Sequence, residues 1–170
     1  YIQDIDTLPT HNREIMTAVT VIETPPIVLM GIKVYLRDEY GMNAIGEVIA
    51  PIKTLDANLI RKIQLPFPEN YDSKKKIKEL EKKMEELDTT FEIRGIFHTQ
   101  PWLVSGVPKK KPEIFEIKVS GGKDWKEQFD YAKENLGKKL SIRDCLNVGQ
   151  FVNTGALVKG KGFEGKVKRY

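Results

Sequence analysis

IVLMGIKVYL, residues 27–36, is a nearly unbroken apolar run, interrupted only by Gly31 and Lys33. A strand with one wet face alternates apolar and polar residues. A strand covered on both faces does not need to. Residues 27–36 are therefore expected to form a sheet strand buried on both sides. Asp38-Glu39-Tyr40-Gly41 reads as a turn, and residues 43–50 read as the partner strand. Upstream, residues 16–23 are rich in β-forming types, with Val19 and Val21 at period two, and Pro25-Pro26 ends that run.

Beyond this hairpin the period changes. Residues 55–63 read as a short helix with Asp56 as its cap. Residues 73–88 form the clearest helix, with Ile77, Leu80, Met84 and Leu87 on one stripe. Its other face pairs Lys75 with Glu79, Glu79 with Lys83 and Lys82 with Glu86. Lys74-Lys75-Lys76 opens this helix, where the helix dipole disfavours cations, so the run reads as a solvated face. Residues 91–100 read as a strand, with Phe91, Ile93 and Phe97 on one side. A loop is expected at 101–112 and a further strand at 114–119. Gly121-Gly122 ends that strand, and Asp124 with Glu127 spells a capping box. The helix that follows, about 125–136, buries Trp125, Phe129, Ala132 and Leu136, and Gly137 stops it. Residues 149–158 read as a last strand.

Composition sets bounds. The chain has 170 residues, 40% hydrophobic and 31% charged, which fits a soluble globular protein and argues against disorder. The one cysteine, Cys145, has no internal partner, so a reducing compartment is expected. No apolar run approaches the ~18–20 residues that cross a membrane. The first residues lack a basic stretch followed by an apolar one, so no signal peptide is expected. Charge is uneven. Residues 137–170 hold eight basic residues against Asp144 and Glu164, a net +6 within a chain of net +4. A basic end on a mildly acidic body points to a polyanion partner.

That end reads GALVKGKGFEGKVKRY, residues 155–170. Gly155-x-x-x-x-Gly160-Lys161 nearly spells a P-loop, and Gly160-x-Gly162-x-x-Gly165 spells a dinucleotide fingerprint. Both need a helix opening at the glycines. The first also needs Ser or Thr after the lysine, where Gly162 stands. The second needs an acidic residue about 20 positions later, and the sequence ends first. A nucleotide-binding enzyme is the alternative reading of Gly155–Gly165, and a weak one. Other chemistry is thin. His11 and His98 are far apart and in no metal-ligand spacing, and Cys145, between Asp144 and Leu146, reads as a buried structural thiol. No catalytic residue, metal or cofactor is assigned.

The glycine-lysine stretch is better suited to a phosphate backbone. Glycine lets the main chain approach closely, and interleaved lysines neutralise successive phosphates without reading bases. Pro108-Lys109-Lys110-Lys111-Pro112 is a second candidate, its prolines holding the segment extended and splaying the lysines. A third reading, a protein-interaction module, would use the helix at 73–88.

Five stretches carry a resemblance. VPKKKPEIFEIKVSGG (107–122), FDYAKENLGKKLSIRDCLNVGQFV (129–152) and VKGKGFEGKVKRY (158–170) are similar to ribosomal protein L three of the large subunit, archaeal type. TVIETPPIVLMGIKVY (20–35) and IRGIFHTQP (93–101) fit the same pattern. The chain resembles the front half of that family, with Asn153 and Trp102 departing from its usual residues. The resemblance implies a mostly β fold: a partial β-barrel of the translation-protein type from residues 1–50 and 138–170, and an inserted α/β subdomain with two helices at 51–137. It implies a structural role and no enzymatic one. The protein would bind large-subunit ribosomal RNA, neighbour other large-subunit proteins, support assembly and brace RNA near the peptidyl transferase centre, in the cytoplasm. Carried over by position, the RNA-contacting candidates are Lys159, Gly160, Lys161, Gly162, Gly165, Lys166, Lys168 and Arg169. Weaker candidates are Lys109, Lys110, Lys111, His98 and Gln100.

Overall fold

The computed structural model describes residues 7–11, 13–51, 55–63, 71–87, 90–122 and 124–169, with the side chains of Ile60 and Arg169 outside that set. Two compact units divide the chain. One is Thr17–Cys145, and the other combines the residues up to Met16 with those from Leu146 onward.

The first unit holds an antiparallel sheet. Its strands are β1 (Ile27–Asp38), β2 (Gly41–Ile49), β3 (Phe91–His98), β4 (Ile114–Lys118) and β5 (Lys139–Leu140). The order is β2-β1-β3-β4, with β5 paired to the start of β1. Among the described residues the sheet stays open, with β2 and β4 at its edges. The fold is mixed α+β and mostly β, as expected, and these strands do not close into a barrel.

β1 is the central strand that its apolar run implies. Val28, Leu29, Met30, Ile32 and Val34 are all buried. A bulge explains how one strand serves two cores. Leu29 pairs with Phe97 and Gly31 with Ile96, so Met30 is the extra residue. Past the bulge, Ile32 and Val34 face a core with Val48, Phe91, Ile93, Leu80, Met84, Phe129 and Ala132. Met30 instead packs with Leu59 and Ile96 in a second cluster. Each fully buried aliphatic or Phe side chain contributes about 1.5–3 kcal/mol.

Two helices cover the larger core: α1 (Ser73–Leu87) and α2 (Trp125–Asn135). In α1, Leu80 and Met84 are buried while Leu87 is exposed, so the expected stripe ends one turn early. The cationic opening of α1 is offset by Asp72, whose carboxylate accepts from Lys74 N–H at 3.0 Å. Glu79 takes Lys76 at i,i−3, and Lys133 of α2 reaches across to Glu81. In α2, Phe129 and Ala132 are buried, and Trp125 and Leu136 pack against the same core. Gly137 ends the helix at φ +81, a conformation only glycine takes freely. A short 3-10 turn, Ala57–Arg61, forms where a helix is expected, and Asp56 caps it through Asn58 N–H at 2.9 Å. Short helices α3 (Ile142–Cys145) and α4 (Lys166–Arg169) follow later in the chain.

Three expectations are corrected. Residues 16–23 and 149–158 form no strand. Both have β-type sequences, but no described strand lies beside them to supply ladder hydrogen bonds, and a lone strand has no stability in water. The Asp124 half of the α2 capping box is also absent: Asp124 makes no side-chain cap bond. Gln128 donates its side-chain amide to the Gly121 carbonyl at 2.9 Å, joining the helix start to the loop before it. Finally, Cys145 is exposed rather than buried.

Candidate nucleic-acid interface

The stretch from Lys159 to Arg169 lies in the second unit. Residues 151–165 are in neither helix nor strand, and Lys166–Arg169 forms one turn, closed by Lys168 N–H on the Gly165 carbonyl at 3.0 Å. Lys159, Lys161, Lys166 and Lys168 are exposed. Among the described residues, no carboxylate forms an ion pair with any of these four. Arg169 has its backbone in the turn, and its side chain lies outside the described residues. Glu164 is the one local anion, and it is half-buried.

The glycines here differ from those of the sheet. A Cβ built on Gly155, Gly160, Gly162 or Gly165 would meet nothing within 4 Å. Gly162 has φ +72, so its own backbone calls for glycine. Gly160 and Gly165 lack that excuse. Packing against the described residues does not require glycine at either position.

This geometry removes the helix both nucleotide motifs need. Residues 160–165 are in neither helix nor strand, and the first helical residue is Lys166, which begins only a single turn. Among the described residues, no cluster of three or more His, Cys, Asp or Glu is placed to hold a metal ion. Nor is any described helix long and apolar enough to cross a membrane.

The Pro108–Pro112 loop belongs to the first unit and is partly occupied. Pro112 is fully buried and anchors it. Lys109 is bonded to Glu113, which also takes Lys62 at 3.1 Å. These bonds, Lys109's first, hold the Glu113 carboxyl at about 2, well below its ordinary range. Lys110 donates to the Val104 carbonyl at 3.4 Å and is half-buried. Of the three, Lys111 alone is exposed and outside any described ion pair or hydrogen bond. The expected splaying of all three lysines is thus not what the loop does.

His98 and Gln100 sit beside this loop, and both are buried. Gln100 donates to the Pro26 carbonyl at 2.8 Å, tying the start of β1 to the end of β3. The His98 ring stacks on Trp102, with Nδ1 3.1 Å from the Thr99 carbonyl. Thr99 in turn clasps Glu113: its hydroxyl accepts from Glu113 N–H at 2.9 Å, and its own N–H donates to the Glu113 carbonyl. His98, Gln100 and the loop are therefore one packed group, with the glycine-lysine stretch in the other unit.

The first unit carries a second charged feature. Lys33, Arg94 and Lys118 stand in one cross-strand row on β1, β3 and β4. Glu116 takes Lys33 at 3.2 Å and the Tyr35 hydroxyl at 2.7 Å, and Glu92 takes Arg94 at 2.8 Å and Lys118 at 3.4 Å. Each cation of this row is ion-paired, whereas among the described residues none of Lys159, Lys161, Lys166 and Lys168 is.

Comparison with known proteins decides the lineage. The family model for ribosomal protein L3 matches residues 2–170. The chain belongs to that family. Large ribosomal subunit protein uL3 of Methanosphaera stadtmanae is 41% identical over 162 residues, 95% of this chain and 46% of that protein. The uL3 proteins of Methanococcus aeolicus and Methanobrevibacter smithii are each 44% identical, again over 95% of this chain and 45% and 46% of theirs. The chain thus spans a little under half the length of these archaeal L3-family relatives. Their names place them in the large ribosomal subunit and attach no reaction to them.

Proposed function

We propose that the chain is a structural constituent of the large ribosomal subunit that grips ribosomal RNA by its phosphates, and that it has no catalytic role. The contacts are Lys159, Lys161, Lys166, Lys168 and Arg169 as point charges, with Gly160, Gly162 and Gly165 letting the backbone come close. Lys111 is a second contact, with Lys109 and Lys110 available once their bonds to Glu113 and Val104 are given up. His98 and Gln100 serve the same surface from below, by fixing the loop. On this reading the protein assembles with neighbouring large-subunit proteins in the cytoplasm, supports subunit assembly and braces RNA near the peptidyl transferase centre. The division into barrel portions at 1–50 and 138–170 and an inserted subdomain at 51–137 belongs to the same proposal. What carries the reading is the combination at residues 159–168: four exposed lysines without described counter-ions, beside glycines whose open side the chain itself leaves empty.

The test is filter binding to large-subunit RNA fragments between about 50 and 400 mM salt. Four or five neutralised phosphates, at roughly −0.7 to −0.9 each, give a fall of about 3 to 4 log units in affinity per tenfold rise in salt. Changing Lys161 and Lys166 to Ala should flatten that slope by about two phosphates' worth, for cognate and unrelated RNA alike. Changing Lys75 and Lys76 on α1 should do much less. If the α1 changes flatten the slope as much as the others, the interface lies elsewhere on the molecule.

A further inference from the structure

Phe163 stands in the middle of the basic stretch, between Gly162 and Glu164, and its side chain is 98% exposed. Among the described residues no ring, cation or core cluster engages it. A Phe buries its ring when its own fold offers a place, because that burial is worth about 1.5–3 kcal/mol. Here the described residues offer none. The positive φ of Gly162 bends the backbone immediately before the ring. Lys161 lies two residues before Phe163 and Lys166 three after, both exposed.

We infer that Phe163 is a stacking platform for an unpaired RNA base, set among the lysines that hold the flanking phosphates. This rests on the RNA-binding reading above and adds to it a preference for single-stranded RNA. Every base has a π-face, so an aromatic ring in a basic groove binds unpaired bases with little regard to sequence. Duplex RNA keeps its bases stacked on one another and offers such a ring nothing. Of the two exposed phenylalanines, Phe151 and Phe163, the charge context selects Phe163. Phe151 is also exposed, but its nearest basic residues, Arg143 and Lys159, are each eight positions away. A ring meant for a protein partner would not need lysines on both sides. A ring meant for a base does, because the phosphates arrive with it.

The experiment compares the wild-type chain with Phe163→Ala, Phe163→Leu and Phe163→Trp. The probes are an oligouridine about 12 nucleotides long and an RNA duplex of the same length. Phe163→Ala should weaken oligouridine binding by about 5- to 150-fold, the range that alanine substitution of a stacking ring gives, and leave duplex affinity and salt slope unchanged. Phe163→Leu, apolar but without a π-face, should fall with it. Phe163→Trp should bind like wild type, with its indole emission quenched by the RNA. The inference is overturned if Leu binds as well as Phe, or if Ala weakens duplex and single strand equally. It is also overturned if Ala lowers the melting temperature of the free chain without changing RNA affinity, which would mean that the ring packs on protein. The Lys161/Lys166 pair separates the two readings. If those changes flatten the salt slope while Phe163→Ala does nothing, stacking alone fails. If they do not, the phosphate-binding reading fails first.

Discussion

On β3, a Cβ added to Gly95 would stand 2.7 Å from the Phe97 ring and 2.8 Å from Leu29; on Gly160 it would meet nothing within 4 Å. The same residue type serves two purposes. In the sheet, glycine fits the chain to itself, since Leu29 and Phe97 are buried and have nowhere to swing. In the basic stretch, an added Cβ would meet none of the described residues. Some of the lysines contrast in the same way, although Lys111 in the first unit is also outside any described ion pair. Lys33, Lys118 and Lys133 in the first unit each hold a carboxylate. Lys159, Lys161, Lys166 and Lys168 in the second have none among the described residues. A residue satisfied by its own chain argues for structure, and one left unsatisfied argues for a partner.

The contrast is sharpened first in the sheet, where the largest effect lies. Gly95→Ala overfills a packed site and should cost about 1–3 kcal/mol of stability, read from chemical denaturation. RNA affinity per folded molecule should not change. A variant as stable as wild type would show that the sheet relaxes around the methyl, and that the crowded glycines are not doing what their surroundings imply.

The smaller effect is at Glu113, the acid that occupies Lys109. Its carboxyl is held at about 2 in the folded state against 4.5 for a free glutamate, so it stabilises the fold above the free value. That contribution is lost as pH falls from about 4.5 towards about 2. Glu113→Gln removes it at every pH. The denaturation midpoints of wild type and variant should therefore differ most near neutral pH and converge towards about 2. Parallel curves across that range would mean that the pair is worth nothing, and that Lys109 is as free as Lys111.

Much of the sheet could be read from the residues, because β1, β2, β3 and β4 announce themselves by period and by the turns between them. The failures have physical causes. The bulge at Met30 leaves no mark in a run apolar at every position. Residues 149–158 have a strand's composition, but pairing depends on a neighbour and not on composition. Asp124 and Glu127 have a capping box's spacing, yet the Asp124 side chain does not turn onto the helix N–H groups. For the candidate interface, the basic glycine stretch was legible from charge and spacing. The internal pairing of Lys109 and Lys110, and the burial of His98 and Gln100, depend on tertiary packing that no motif spacing encodes. Phe163 gives no signal of its own in the sequence, because a single aromatic looks like core until its exposure is known.

The link between open glycines and RNA is tested most directly by changing Gly160 and Gly165 to Ala together. Neither Cβ meets an atom of the described residues, so the melting temperature should hold, and no charge is altered, so the salt slope should hold too. Affinity for large-subunit RNA fragments should nonetheless fall by about tenfold or more at constant salt. Pushing the backbone off the phosphates forfeits charge-assisted hydrogen bonds worth about 1.5–3 kcal/mol each. Unchanged affinity would contradict this: the space beside the glycines would then not be where RNA sits.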